Sequence, residues 1–206
     1  MSKESHLETR DPRIDFFDSQ AARWGEFGPT KESIIECFEQ MGARLELEPG
    51  RNILELGCGP GQFTGWICRK VAPGKVTATD FSPLMIAEAC KQVLPAEFMV
   101  SDICIEPPAI KAYHTVFCYN AFPHFRDKAK ALKNIARSLK KDGVLIILHF
   151  HSREELNNIH KSVGGAVEED FLLERAEMEE LFFGSGLKLT EFEESEKLYF
   201  LKAVKE

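Results

Sequence analysis

Long apolar runs are missing from this 206-residue chain. The longest, Val144–Leu148, is far shorter than the about 20 residues that a membrane-spanning helix needs. Residues 1–6 are polar and lack the apolar segment of a secretion signal. We therefore expect a soluble, cytoplasmic protein with no membrane span.

An excess of basic residues is also missing. The chain carries 26 Lys and Arg residues against 33 Asp and Glu residues, which gives a net charge of −7. Nucleic-acid binding requires a basic surface that neutralises phosphates. We therefore expect no nucleic-acid partner.

Close pairs of cysteines are absent as well. The spacing argues against a zinc knuckle or a redox-active dithiol, because both use Cys-x-x-Cys pairs. Scattered cysteines in an intracellular chain are usually small buried hydrophobic side chains. The 6 cysteines are Cys37, Cys58, Cys68, Cys90, Cys104 and Cys118.

Short β-type runs alternate with helical patterns along the chain, which favours an α/β fold with a mainly parallel sheet. Apolar spacing predicts a helix over Asp127–Lys140, ended by the pair Asp142-Gly143. Two last runs, joined by an acidic turn, predict a closing antiparallel hairpin. The predicted strands are Asn52–Leu56, Lys75–Thr79, Glu97–Val100, Thr115–Tyr119 and Val144–Phe150, and the hairpin runs are Lys188–Phe192 and Leu198–Val204.

The segment before the first strand has helical patterning of its own. Amphipathic pieces lie near Ile14–Trp24 and Lys31–Arg44, and no internal repeat or linker interrupts the chain. We predict one domain over residues 1–206, with residues 1–45 as an N-terminal helical cap.

A glycine-rich turn is the strongest local signal. The first predicted strand runs directly into Gly57-Cys58-Gly59-Pro60-Gly61, and a helical run follows. Glycines let the backbone turn tightly and approach a ligand, and the helix presents free N–H groups to the turn. A dinucleotide loop would have a glycine in place of Gln62, and a triphosphate loop would end in Gly-Lys-Ser/Thr. Neither pattern is present.

Two carboxylates follow the next two predicted strands. Asp80 lies 21 residues after Gly59, a position suited to a carboxylate that binds ribose hydroxyls, and Asp102 follows the third strand. Ligands of open α/β sheets bind outside the carboxyl ends of the strands. The turn and both carboxylates therefore predict one binding crevice.

From about residue 50 onward, these motifs resemble those of class I S-adenosylmethionine-dependent methyltransferases, in particular the small-molecule, ubiquinone/menaquinone methyltransferase-like group. Glu55–Gly61 is similar to the first motif of the family, Thr79-Asp80-Phe81-Ser82 to the ribose-binding motif, and Ser101-Asp102-Ile103 to the adenine-binding motif. Lys141-Asp142-Gly143 stands where the family has a Pro-Gly-Gly turn. The segment from Phe16 to Trp24 resembles the part that folds over the cofactor.

The resemblance implies a doubly wound, seven-stranded, mostly parallel sheet with an antiparallel C-terminal hairpin. It also implies S-adenosyl-L-methionine as the cofactor and a small-molecule methyl acceptor as the partner. The cofactor-binding residues that it implies are Glu55, Gly57, Cys58, Gly59, Gly61, Asp80, Phe81, Met85, Asp102, Ile103 and Asn120.

Histidines cluster after the fourth and fifth predicted strands. Methyl transfer depends mainly on alignment, and a base is needed only where the acceptor loses a proton. We predict His124 and His149 as acceptor-binding or proton-accepting residues. A zinc or iron site made of His149, His151 and His160 is an alternative, but no acidic or cysteine ligand is suitably spaced, so we predict no metal.

The leading interpretation is a methyltransferase that acts on a small molecule as a monomer or homodimer. One alternative is a nicotinamide-dependent oxidoreductase, which the glycine spacing disfavours. A second alternative is a non-catalytic subunit that binds S-adenosylmethionine and regulates another protein.

Overall fold

The computed structural model of the protein describes residues 10–26 and 28–206. Seven strands form one sheet with helices on both faces. The strands are β1 Ile53–Leu56, β2 Val76–Asp80, β3 Glu97–Val100, β4 Tyr113–Tyr119, β5 Leu139–His149, β6 Leu187–Ser195 and β7 Leu198–Lys205. The α-helices are α1 Pro12–Gln20, α2 Lys31–Met41, α3 Thr64–Val71, α4 Pro83–Cys90, α5 Lys128–Ser138, α6 Arg153–Val163 and α7 Arg175–Phe182.

The strand order is β3-β2-β1-β4-β5-β7-β6. Strands β1 to β5 pair in parallel, and β7 inserts antiparallel between β5 and β6. The central strands are buried on both faces, which explains their nearly continuous apolar sequences. The predicted seven-stranded sheet with its reversed hairpin is confirmed.

Side-chain caps begin two of the helices that follow strands. The Ser82 hydroxyl accepts from the Met85 backbone N–H at the start of α4, and Pro83 takes the first helical position. Ser152 caps α6 in the same way through the backbone N–H of Glu155. These hydrogen bonds satisfy backbone N–H groups that the first helical turn leaves free.

The junction between α5 and β5 differs from the prediction. The helix ends at Ser138 rather than Lys140, and the strand begins at Leu139 rather than Val144. Leu139 pairs with Tyr113 and is fully buried, and the residues between Leu139 and Val144 bulge out before regular pairing resumes. Apolar spacing alone cannot separate a last helical turn from a first strand residue, because both bury the same leucine.

The N-terminal segment is helical, as expected, and lies against the sheet layer. Within the predicted cap over residues 1–45, residues 1–9 and 27 lie outside the described residues. Helix α1 packs on α4, and Phe17 and Ala21 form a small apolar cluster with Met85 and Val167. The single-domain organisation over residues 1–206 stays a prediction.

Across the described ranges, 10–26 and 28–206, none of the helices has the length and apolar character needed to cross a membrane.

Candidate active site

A cavity of about 380 Å³ opens at the carboxyl ends of β1, β2 and β4. This is where open α/β sheets bind their ligands, and the volume lies within the usual range for small-molecule sites. One wall comes from the turns after β1, β2 and β3, and the opposite wall comes from residues after β4 and from α6. Two segments of the N-terminal cap, around Phe17 and Trp24, also line it.

The glycine turn forms the floor of the cavity. Gly57, Gly59 and Gly61 all have positive φ, at 69°, 54° and 78°. A Cβ on Gly57 would lie 2.3 Å from the Cβ of Ala121, so no side chain fits there. The turn is tied to β2, because the backbone N–H groups of residues 57 and 58 both donate to the Thr79 carbonyl. The backbone is therefore fixed and bare towards the cavity.

The Asp80 carboxylate joins the glycine turn to the start of α4. It accepts from the backbone N–H of Gly59 and from that of Ser82, each at 2.9 Å. Burial raises the pKa of Asp80 to about 6, although these hydrogen bonds oppose the rise. The carboxylate borders the cavity and is pre-oriented by the backbone around it.

Glu55 lies deeper, beneath the turn. It is fully buried, and its Oε2 accepts from the Thr64 hydroxyl at 2.7 Å. Burial raises the pKa of Glu55 to about 8, and the nearby charge of Asp80 adds to the rise. Glu55 is therefore mostly protonated at neutral pH.

The structure brings the predicted cofactor-binding residues together. Gly61 does not line the cavity, and its position against Ala89 serves the turn itself. The predicted residues that do line it are Glu55, Gly57, Cys58, Gly59, Asp80, Phe81, Met85, Asp102, Ile103 and Asn120.

The predicted histidines separate into two groups. His124, His151 and His160 line the cavity wall opposite the glycine turn. His149 does not: its side chain is completely buried, and neither ring nitrogen has a hydrogen-bond partner. Burial and the neighbouring histidines keep the pKa of His149 well below its ordinary value, so its ring is neutral. The expectation that His149 faces the crevice is wrong, because the last residue of β5 points into the packed interior beside Tyr199.

His124 is held by an acidic partner far away in the chain. Its Nδ1 lies 2.8 Å from the Oδ2 of Asp170, and the other carboxylate oxygen of Asp170 accepts from Arg13 Nη1 at 3.1 Å. Arg13 also donates to the backbone carbonyl of His124, at 3.3 Å. The Phe17 ring packs edge-on against the imidazole, with ring centroids 4.9 Å apart. The histidine is thus fixed from three sides.

His160 has the same partner residue. Its Nδ1 makes a short hydrogen bond with the backbone carbonyl of Asp170, and its ring centroid lies 4.9 Å from that of His124. Burial lowers the pKa of His160, and the neighbouring His124 lowers it further. The ring is therefore neutral at physiological pH.

A metal centre is not found at this wall. Within residues 10–26 and 28–206, no group of three or more His, Cys, Asp or Glu side chains is arranged to hold a metal ion. The alternative built from His149, His151 and His160 also loses His149, which is turned away from the cavity.

Sequence reasoning missed Asp170 and Arg13. Asp170 ends the acidic run Glu168-Glu169-Asp170, and the composition of this run is typical of a solvated loop. The side chain of Asp170 is nevertheless buried. Arg13 carries no motif, and only the docking of α1 brings it to the site.

The comparisons with known proteins agree with this geometry. A family described as a methyltransferase domain matches residues 53–143, from β1 into the bulge of β5. For residues 53–143, the match supports the predicted class I S-adenosylmethionine-dependent methyltransferase family. This range contains the turns after β1, β2 and β3, which form one wall of the cavity, and the whole of β4.

Two curated methyltransferases are similar in sequence. The trans-aconitate 2-methyltransferase of Variovorax paradoxus is 30% identical over 117 residues, which cover 57% of this chain and 45% of the relative. The 2-methyl-6-phytyl-1,4-hydroquinone methyltransferase of Synechocystis sp. is 28% identical over 133 residues, which cover 63% and 42%. The chain thus matches less than half the length of either methyltransferase.

A solved methyltransferase structure has the same fold. The magnesium protoporphyrin IX methyltransferase of Synechocystis, solved with bound S-adenosylhomocysteine, superposes with a TM-score of 0.69. The superposition covers 95% of this chain and 98% of that one, at 18% identity.

Proposed function

We propose that this protein transfers a methyl group from S-adenosyl-L-methionine to a small-molecule acceptor. The observation that carries the proposal is the cavity floored by the glycine turn and bordered by Asp80, at the carboxyl edge of a methyltransferase-type sheet. The names of the similar proteins support the reaction class. The acceptor is not inferred from them, because they act on different small molecules.

The residues at the turn fit the proposed cofactor. Gly57 and Gly59 leave the backbone bare, which suits the methionine part, and the Asp80 carboxylate suits the ribose hydroxyls. Phe81 and Met85 offer apolar surface to the adenine, with Ile103 and the Asp102 carboxylate beside it. Glu55, Cys58 and Asn120 complete the proposed binding set. When bound, the cofactor supplies an activated methyl group and a good leaving group.

The opposite wall then has to align the acceptor and take up its proton. Alignment alone supplies about 7–11 kcal/mol of such a barrier. His124 is our proposed proton acceptor, because its ring borders the cavity and its Nε2 has no hydrogen-bond partner among the described residues. The rings of Phe17 and Phe125 add apolar surface to the cavity lining.

The experiment that tests the proposal is calorimetric titration of the full chain with S-adenosylhomocysteine, repeated with NADH. We expect micromolar binding of S-adenosylhomocysteine and no binding of NADH. NADH binding would favour the oxidoreductase alternative, and silence with both ligands would contradict the proposed cofactor site.

A second arm tests the ribose assignment and the regulatory alternative. Asp80→Asn should weaken S-adenosylhomocysteine binding by roughly 10-fold to 100-fold, because hydrogen bonds to a charged group contribute about 1.5–3 kcal/mol. Asp142→Asn is the matched control, since Asp142 is an exposed carboxylate near the start of β5 and does not line the cavity. Binding without turnover across thiols, amines, phenols and quinols would favour a non-catalytic subunit.

A further inference from the structure

Asp170 contacts two histidines through two different groups. Its carboxylate faces Nδ1 of His124 at 2.8 Å, and its backbone carbonyl faces Nδ1 of His160. Neither a carboxylate nor a carbonyl oxygen can donate a hydrogen bond, so in both pairs the histidine must donate. Asp170 therefore fixes both imidazole rings in the tautomer that carries its hydrogen on Nδ1.

The other nitrogen of each ring is left as an acceptor. When Nδ1 carries the hydrogen of a neutral imidazole, Nε2 has a free lone pair. Among the described residues, neither Nε2 has a hydrogen-bond partner. Neither atom is fully buried, so both are accessible. Both rings line the cavity, with centroids 4.9 Å apart. The acceptor wall thus presents two neighbouring lone pairs.

Two cations near this wall are already engaged, and a third lies at its rim. Arg13 lies between the carboxylates of Asp11 and Asp170. The Lys128 ammonium donates to two backbone carbonyls, and Arg126, at the rim, lies 4.0 Å from Asp11. A carboxylate placed against the two histidines would meet lone pairs instead of N–H groups, whereas a hydroxyl or amine would donate to them.

We propose that Asp170 is a positioning residue that holds His124 and His160 as paired hydrogen-bond acceptors, and that the methyl acceptor is therefore a protic nucleophile, a hydroxyl or amine, rather than a carboxylate. The proposal rests on the proposed methyltransferase function. It concerns the acceptor half of the cavity, where Asp170 and His160 lie outside the residues that the family matches.

The proton balance of the step follows from this arrangement. As the nucleophilic oxygen or nitrogen bonds to the methyl carbon, the carbon–sulfur bond breaks and its electron pair stays on sulfur. The hydrogen of the nucleophile passes to Nε2 of His124. The resulting imidazolium keeps its Nδ1 hydrogen bonded to Asp170, whose negative charge stabilises it. The substrate leaves as an ether or a methylated amine.

The first test needs no acceptor. The full chain, saturated with S-adenosylhomocysteine, is studied by ¹⁵N NMR of its imidazole rings above neutral pH. We expect His124 and His160 in the form protonated at Nδ1, and we expect Asp170→Asn to convert His124 to a mixture containing the Nε2-protonated form. Glu169→Gln, an exposed neighbour with the same charge change, should leave both rings unaltered. A wild-type His124 protonated at Nε2 would overturn the proposal.

The second test compares phenol with benzoate, two small aromatic probes that differ in whether the oxygen carries a hydrogen. With S-adenosylhomocysteine bound, phenol should perturb the two ring signals and bind at least tenfold more tightly than benzoate. Asp170→Asn should shift the ratio towards benzoate, because an Nε2–H group donates to a carboxylate. Benzoate binding as tightly as phenol to the wild type would overturn the proposal. If the wild type does not bind S-adenosylhomocysteine at all, that result would instead contradict the proposed function.

Discussion

The Asp18 carboxylate accepts a hydrogen bond from the Ser82 hydroxyl at 2.5 Å, across 64 residues of sequence. The same oxygen accepts from the backbone N–H of Leu84 at 3.1 Å. An acidic side chain from α1 thus completes the N-terminus of α4, where free N–H groups favour negative charge. Because α4 starts directly after Asp80, this contact couples the N-terminal helix to the proposed ribose site.

Replacing this carboxylate tests the coupling. Asp18→Ala should raise hydrogen exchange of the α1 amides by roughly 10-fold or more, since hydrogen bonds to a charged group contribute about 1.5–3 kcal/mol. The measurement is native-state exchange read by mass spectrometry. Asp15→Ala, on the exposed side of the same helix, is the control and should change little. Equal exchange in both variants would show that apolar packing of Phe17 alone holds the helix.

The contact between Gly57 and Ala121 leads to a second prediction. Gly57→Ala combines an unfavourable φ of 69° with a Cβ placed 2.3 Å from that of Ala121. Gly184→Ala has nearly the same φ, 71°, but open space around the added Cβ, so only backbone strain applies. Overpacking adds about 1–3 kcal/mol at residue 57 alone. Urea unfolding of both variants should therefore show the larger loss for Gly57→Ala, and an equal loss would mean that β4 moves aside freely.

Ionisation of Glu55 predicts a pH dependence of stability. Its pKa of about 8 in the folded chain is above the value of 4.5 for a free side chain, so the folded state binds the proton more tightly. The free energy of unfolding should therefore fall as pH rises from 4.5 towards 8. Relative to Glu55→Gln, which cannot ionise, the wild type should lose about 2–3 kcal/mol between pH 5 and pH 7. Urea unfolding at both pH values measures this, and parallel curves for the two proteins would contradict it.

His149 predicts a pH dependence of the opposite sign. Its folded pKa is depressed, so its contribution to stability is lost as pH falls through the ordinary histidine value of 6.5. His149→Leu should remove about 1 kcal/mol of this loss between pH 7.5 and pH 5.5. It should also stabilise the protein at pH 7.5, because it replaces unpaired buried nitrogens.

His149→Gln separates the two effects. Glutamine does not titrate but keeps a polar group in the same place, so only the pH dependence should disappear. If both variants are as acid-sensitive as the wild type, the ring of His149 is hydrated or paired in solution.

The sequence predicted the sheet and the glycine-turn wall well because both depend on short-range patterns. Strand β1, the glycine turn and Asp80 follow one another within about 30 residues of sequence. The caps at Ser82 and Ser152 are local hydrogen bonds. The largest boundary error lies at the α5–β5 junction, where burial of Leu139 satisfies either structure.

The acceptor wall could not be predicted to the same extent. Asp170 meets His124 across 46 residues and Arg13 across 157, and no periodicity records such contacts. His149 shows the reverse error: its place at the end of β5 suggested the cavity, but its ring is buried against Tyr199. Side-chain direction follows from the pleat, whereas access to the cavity depends on what packs above it.

The division of the cavity between two stretches of chain has a consequence for how such a protein diversifies. The floor and the Asp80 side are built by residues 53–103, whereas His124, Asp170 and His160 come from later segments and meet Arg13 from the opposite end of the chain. Under the proposed function, exchanging the loops after β4 and α6 would therefore alter which molecule is methylated without disturbing how the methyl donor is held. Altering the glycine turn would instead disable the proposed reaction for every acceptor alike.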